Sequence, residues 1–242
     1  MTDESSAEAR QLEGDTATTR VTIGPGFGCE ALEQRVIRFA PGQSVPHGGG
    51  TREELLFAVS GAGTVRVDGA QHELGPETGV LVAPGERYQV ENQGPEELVL
   101  VSVLALEPHD DIANGERRPV RVAEQRAYPA GKDREFRYVA NEDVGCRTVT
   151  QFVGSIPPGR AKAHYHTYEE VAYILEGEGV LHIGGESSTV RAGSCIHFPP
   201  REPHILENVG TGALRVLGVF HPAGDPSMAY NVPEAQEEEE SV

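Results

Sequence analysis

Residues 159–179, GRAKAHYHTYEEVAYILEGEG, and residues 42–63, GQSVPHGGGTREELLFAVSGAG, decide the fold, because one stretch is a modified copy of the other. Cys29, Gly42 and His47 recur as Cys146, Gly159 and His164 at an offset of 117. Glu54, Gly61, Gly63, Pro84 and Asn92 recur as Glu170, Gly177, Gly179, Pro200 and Asn208 at an offset of 116. A one-residue gap in His47-Gly48-Gly49-Gly50 reconciles the two. Spacing this constant from Cys29 to Asn92 marks an internal duplication, the feature to establish before any other. The 242 residues leave room for two units of ~110 residues, each with its own core.

Outward from these stretches, both copies read as short strands. The first has EQRVIRFA (33–40), ELLFAVS (54–60), TVRVD (64–68) and ELVLVSVLALE (97–107). The second has CRTVTQFVG (146–154), EVAYILE (170–176), VLHIG (180–184), CIHFP (195–199) and ALRVLGVF (213–220). Gly, Pro and Asn turns separate these β-branched runs, and no capped helical stretch interrupts them, which predicts an all-β sandwich or barrel. The expected organisation is a disordered acidic tail over 1–20, a first barrel over 21–107, a linker over 108–132, a second barrel over 133–224 and an acidic tail over 225–242.

The second unit carries the chemistry. His164 and His166 are two apart, so in a strand they share a face. Glu170 follows after a turn and His204 opens another strand. Three imidazoles and one carboxylate converging from neighbouring strands suit one divalent first-row ion, with positions left for water or substrate.

These residues resemble the cupin superfamily. Gly159, His164, His166, Glu170 and Gly177 follow its first motif, and Gly193, Pro199, His204 and Asn208 its second, with Arg201 where the motif has a turn glycine. The resemblance implies two tandem double-stranded β-helix barrels of the jelly-roll type, with one Fe, Mn, Ni or Zn ion in the second, held by His164, His166, Glu170 and His204. Glu170 is also the candidate catalytic base. The first unit keeps His47 and Glu54 but has glycines at the second histidine position and Tyr88 at the last, which predicts an empty or weak site. Lys162, two residues before His164, and His182 and His197, within strands, are candidate pocket residues. His221, Tyr173 and Arg201 are left between pocket and packing.

Composition excludes several classes. Half of the net charge of −18 sits in the ends, with −4 over residues 1–16 and −5 over 233–242. No basic patch is present to meet nucleic acid or an anionic membrane. Only Lys132 and Lys162 among the 20 basic residues are lysine, which reads as coding bias or salt adaptation. No apolar run reaches the ~18 residues of a membrane span, and MTDESSAEARQLEGD has no secretory apolar region, so a cytoplasmic location is expected. Cys29, Cys146 and Cys195 form no CxxC pair and read as buried thiols. His47-Gly48-Gly49-Gly50 resembles an esterase oxyanion loop, but the chain has no GxSxG elbow. Gly24-Pro25-Gly26-Phe27-Gly28 lacks the dinucleotide pattern and no Walker sequence occurs.

The partner expected is a small-molecule substrate, with a homodimer possible. Dioxygenase chemistry on an enolate, diketone or catechol is the first functional expectation, leaning to an enzyme. The alternatives are oxygen-independent isomerase, decarboxylase or hydrolase chemistry, and a non-enzymatic binding or storage protein with a structural metal.

Overall fold

A computed structural model of the chain describes residues 1–108, 119–131 and 133–231. The first unit contributes β1 (Thr2–Asp3), β2 (Ala9–Gln11), β3 (Ala17–Ile23), β4 (Leu32–Phe39), β5 (Gly42–Gln43), β6 (His47–Gly48), β7 (Glu54–Ser60), β8 (Gly63–Val67), β9 (Ala70–Leu74), β10 (Thr78–Val82), β11 (Arg87–Asn92) and β12 (Leu98–Ala105). The second contributes β13 (Val120–Arg121), β14 (Tyr128–Pro129), β15 (Glu135–Ala140), β16 (Thr150–Ile156), β17 (His164–Tyr165), β18 (Glu169–Glu176), β19 (Glu178–Ile183), β20 (Glu186–Arg191), β21 (Ser194–Phe198), β22 (His204–Asn208), β23 (Leu214–His221) and β24 (Tyr230–Asn231). Among the described residues, helix is limited to short 3-10 turns, and no helix is long and apolar enough to cross a membrane.

Each unit sets a large antiparallel sheet against a small one. The large sheets run β13-β10-β7-β12-β4-β3-β2 and β1-β21-β18-β23-β16-β15-β14. The small ones run β5-β11-β8-β9, with β6 also on β11, and β20-β19-β22-β17-β24. The same order appears twice, so the all-β pair of jelly-roll barrels expected from the duplication is present.

Both spacer segments correct the expectation. β1 joins the second unit's large sheet, with Thr2 opposite Cys195, and β13 joins the first unit's, with Thr78 opposite Arg121. Each unit therefore hands its first strand to the other barrel. Each arm then returns to its own sheet, β2 on β3 and β14 on β15. The described residues of the supposed tail and linker are equivalent parts of the repeat. Residues 1–20 look like a solvated acidic run, but Glu4 and Asp15 are buried and find partners. Glu4 accepts from Arg38 Nε at 2.7 Å and from the Tyr173 hydroxyl at 3.4 Å. Asp15 accepts from the backbone N–H groups of Ala17 and Val45, both at 3.1 Å. The linker residues 109–118 and 132, and the acidic tail from 232 onward, lie outside the described residues.

The large-sheet strands are apolar on both faces because both faces are covered. Along β7, Leu56 and Ala58 fill the first barrel, while Leu55 and Phe57 face the second unit. Along β18, Ala172 and Ile174 fill the second barrel, while Val171 and Tyr173 face the first. The layer between the barrels is one continuous core drawn from both units. Packing there is tight enough that a Cβ added to Gly79 would overlap Val139 Cγ1.

The same alternation splits two pairs of adjacent glutamates. Glu54 and Glu170 point into their barrels, whereas Glu53 and Glu169 point into the shared layer. Glu53 accepts from the N–H groups of Arg147 (3.3 Å) and Thr148 (3.1 Å) and from the Thr148 hydroxyl. Glu169 accepts from the N–H groups of Glu30 (3.2 Å) and Ala31 (2.6 Å). Each barrel thus fastens the loop after the other's buried cysteine. All three cysteines are buried, and burial pushes the Cys29 and Cys195 thiols up to about 12, which keeps them protonated.

Candidate metal centre

β17 lies between β22 and β24, with His164 opposite His204 on one side and Asn231 on the other. His166 follows β17 directly, and Glu170 comes from β18, flanked by Phe198 and Phe220. The imidazole centroids of His164 and His204 are 4.7 Å apart, those of His164 and His166 5.3 Å, and those of His166 and His204 5.5 Å. One nitrogen from each of the three lies within 4.8 Å of the others. Glu170 Oε2 is 3.9 Å from His166 Nε2. Two donors each ~2.1 Å from a shared ion stand at most ~4.2 Å apart, so that carboxylate is close enough to share an ion with His166, while the cluster of donors within 4.8 Å of one another comprises the three imidazoles.

Backbone carbonyls orient all three rings. His164 Nδ1 donates to the Lys162 carbonyl (3.1 Å), His166 Nδ1 to the Met228 carbonyl (3.1 Å) and His204 Nδ1 to the Glu202 carbonyl (2.9 Å). A carbonyl can only accept, so each proton sits on Nδ1 and each Nε2 keeps its lone pair free, the arrangement a metal ligand needs. Phe198 packs on His204 and Phe220 on His166, so the centre has an apolar shell. Burial lowers the affinity of all three imidazoles for protons, bringing His166 down to about 4 and His204 to about 3. Burial likewise pushes the Glu170 carboxyl up to about 8. Three neutral imidazoles and a carboxyl that resists ionising form a donor set that a divalent ion would satisfy.

The centre opens into a cavity of about 760 Å³. Lys162 lines it, beside Arg134, Arg160, Ile156, Leu206, Phe136 and Phe152. Arg134 donates to the Leu206 carbonyl at 3.3 Å, and its charge contributes to lowering the His164 and His204 pKa values, so it lies beside the imidazoles. Sequence reasoning missed Arg134, which stands thirty residues upstream of His164 in no motif. It also missed the segment 226–229, part of the supposed acidic tail. Pro226, Ser227 and Ala229 line the cavity, Met228 orients His166, and Tyr230 stacks on Tyr165.

Two pocket candidates are corrected. His182 alternates with the inward-facing Leu181 and lies on the outer face, between Ser187 Oγ (2.8 Å) and Glu207 (2.9 Å). His197 alternates with Ile196 and Phe198, which face inward, so it enters the layer between barrels and meets Glu169 at 3.1 Å. Tyr173, Arg201 and His221 do not line the cavity either. Cys29, Glu169 and His197 cluster at ligand-like distances. The equivalent Cys146 and Glu53 make the same loop contacts without a histidine, which marks that cluster as structural.

In the first unit Tyr88 donates to Glu54 Oε1 at 3.0 Å, and Ser102 donates to the same oxygen at 2.6 Å. His47 stacks on Tyr88 at 5.4 Å, with Nε2 3.2 Å from Asp15 Oδ2 but without hydrogen-bond alignment. The residues that correspond to metal ligands are engaged with one another.

A tandem jelly-roll chain with inward-facing imidazoles in one barrel defines the class, and comparison with known proteins defines the family. The cupin domain model matches residues 35–104 and 152–220, and the chain belongs to that family. An uncharacterized protein of Methanocaldococcus jannaschii is 40% identical over 58 residues, which is 24% of this chain and 46% of that protein. The oxalate-binding protein of Thermotoga maritima is 39% identical over 67 residues, 27% of this chain and 55% of that one. The chain thus spans about half the length of these curated relatives. Among solved structures, protein Ylba from E. coli superposes with a TM-score of 0.77 at 15% identity, covering 90% of this chain and 88% of that one. A putative glyoxylate-induced protein from Pseudomonas aeruginosa gives 0.75 at 18% identity, covering 94% and 86%. An oxalate decarboxylase of Bacillus subtilis gives 0.73 at 15% identity, covering 95% and 78%. At these identities the likeness is one of fold.

Proposed function

We propose that this bicupin is a metal-dependent enzyme acting on a small oxygen-rich molecule, with His164, His166, Glu170 and His204 holding one Fe, Mn, Ni or Zn ion in the second barrel. The observation that carries the reading is the set of three Nδ1–H bonds, which aim three lone pairs at one point inside an open cavity. A purely structural ion is usually enclosed by its ligands, whereas this centre adjoins space for a ligand. When bound, the ion supplies Lewis-acid polarisation of a substrate oxygen or, if iron, activation of dioxygen.

Oxygen-independent chemistry on a small carboxylate is the reading favoured here. The names of the similar proteins support it, since they speak of oxalate binding, oxalate decarboxylation and induction by glyoxylate. Dioxygenase chemistry is the second reading, and the aromatic side chains along the cavity favour it because they suit a diketone or catechol.

Elemental analysis of protein purified without chelator tests the common part. One ion per chain is expected, and His204→Ala should lose most of it while keeping its far-UV circular dichroism. Retention of the full ion content by His204→Ala would refute the ligand set. Oxygen consumption and carbon dioxide release with a panel of carboxylates, diketones and catechols then separate the two readings. An active chain that needs no oxygen supports the first, and oxygen uptake coupled to turnover supports the second.

A further inference from the structure

The lining of the cavity beside the imidazoles is chemically mixed. It includes Arg134, which is half-buried and spends one N–H on the Leu206 carbonyl. Of the other charged groups along the cavity, Arg160 pairs with Glu207 at 3.7 Å and Glu135 with Arg137 at 2.9 Å, and Asp133 and Lys162 also line it. No carboxylate pairs with Arg134 among the described residues, although desolvation already disfavours its charge. A desolvated guanidinium with spare donors in a planar fork calls for an oxyanion. A divalent ion held by three neutral imidazoles and one carboxylate leaves one further positive charge beside it, which strengthens that demand. The apolar part of the lining is built from Phe136, Phe152, Ile156 and Val216. The rings of Phe136 and Phe152 meet edge to face at 6.1 Å. The volume of 760 Å³ lies within the ~300–1,000 Å³ range of sites that enclose drug-sized ligands, far beyond what a two-carbon dicarboxylate fills.

We infer that the substrate is a carboxylate carrying an apolar arm, bound with its carboxylate toward Arg134 and its arm against Phe136 and Phe152. This inference rests on the metal-dependent reading above and narrows it, because a bare dicarboxylate would leave the aromatic lining unused. Arg134 is then a substrate-anchoring residue, and the aromatic lining sets specificity.

Titration calorimetry on the ion-loaded full chain tests it, with phenylpyruvate, pyruvate, oxalate and benzyl methyl ketone as probes. Phenylpyruvate is expected to bind at least about tenfold tighter than pyruvate or oxalate, the order expected for burying one ring. It should also bind at least about tenfold tighter than the ketone, which lacks the carboxylate. Arg134→Gln keeps a donor for the Leu206 carbonyl but removes the charge. It should weaken phenylpyruvate and pyruvate alike by roughly 10- to 100-fold, leave the ketone unchanged and leave the ion content intact. Phenylpyruvate binding no tighter than pyruvate overturns the inference, as does an unchanged phenylpyruvate affinity in an ion-loaded Arg134→Gln protein. If Arg134→Gln fails to fold or to load, the probe series on the unaltered chain decides alone. A wild-type chain that takes up no ion fails the metal-dependent reading itself, a result distinct from an ion-loaded chain that ignores the aromatic arm.

Discussion

Replacing Glu53 by Gln should destabilise the whole molecule. Glu53 is 2% exposed and belongs to the first unit, yet its carboxylate is held by the second, through two backbone N–H groups and the Thr148 hydroxyl. Hydrogen bonds to a charged group contribute ~1.5–3 kcal/mol each, and a buried group left unpaired costs more than the lost bond. Gln keeps one acceptor but turns an NH₂ toward a backbone N–H, which can only donate, so about 3–4 kcal/mol should be lost, a large share of the ~5–15 kcal/mol typical of a domain. Because one apolar layer joins the barrels, the loss should appear as an earlier midpoint of a single transition. Urea unfolding followed by circular dichroism and tyrosine fluorescence is the assay, the chain having no tryptophan. Glu73→Gln on the exposed surface is the control and should stay within ~0.5 kcal/mol. A loss under ~1 kcal/mol, or two separate transitions, would show that the inter-barrel fastening does not work as described.

Three further outcomes follow from particular residues. In the ion-free protein Glu170, pushed up to about 8 by burial, holds a proton that the unfolded chain releases near 4.5, so its contribution to stability falls as pH rises between those values. The lowered imidazoles act in the opposite sense below 6.5, so the net fall should show between pH 6.5 and 8, at up to about 1.4 kcal/mol per pH unit. Ion loading at pH 7 should release close to one proton per ion and abolish that fall, and identical Tm–pH curves with and without chelator would contradict this. Gln151 is 1% exposed and neither side-chain polar atom has a partner, whereas its repeat counterpart Gln34 bonds to Thr22 at 3.3 Å. Gln151→Met should therefore raise stability by about 1–2 kcal/mol in urea, and a lower midpoint would mean the amide is satisfied after all. Arg201 sits at φ 64° where the repeat counterpart Gly85 has 85°. Arg201→Gly should gain about 1 kcal/mol, and no shift in Tm would show that the left-handed turn is unstrained.

The sequence by itself determined the duplication, the all-β class and the shared face of His164 and His166, because these rest on short-range patterns: repeat spacing, two-residue alternation and turn residues. It did not determine which way a strand faces where both faces are covered. Glu53-Glu54 and Glu169-Glu170 are identical neighbours at the head of strands apolar on both parities, and only the placement of one barrel against the other sends Glu53, Glu169 and His197 into the shared layer. The strand exchange of β1 and β13 was equally illegible, since two-residue strands carry almost no local signal and find their register only on a partner sheet from the other unit. Arg134 and the segment 226–229 reach the site from outside any motif. What brings them there is closure of the barrel, a long-range event that spacing along the chain does not encode.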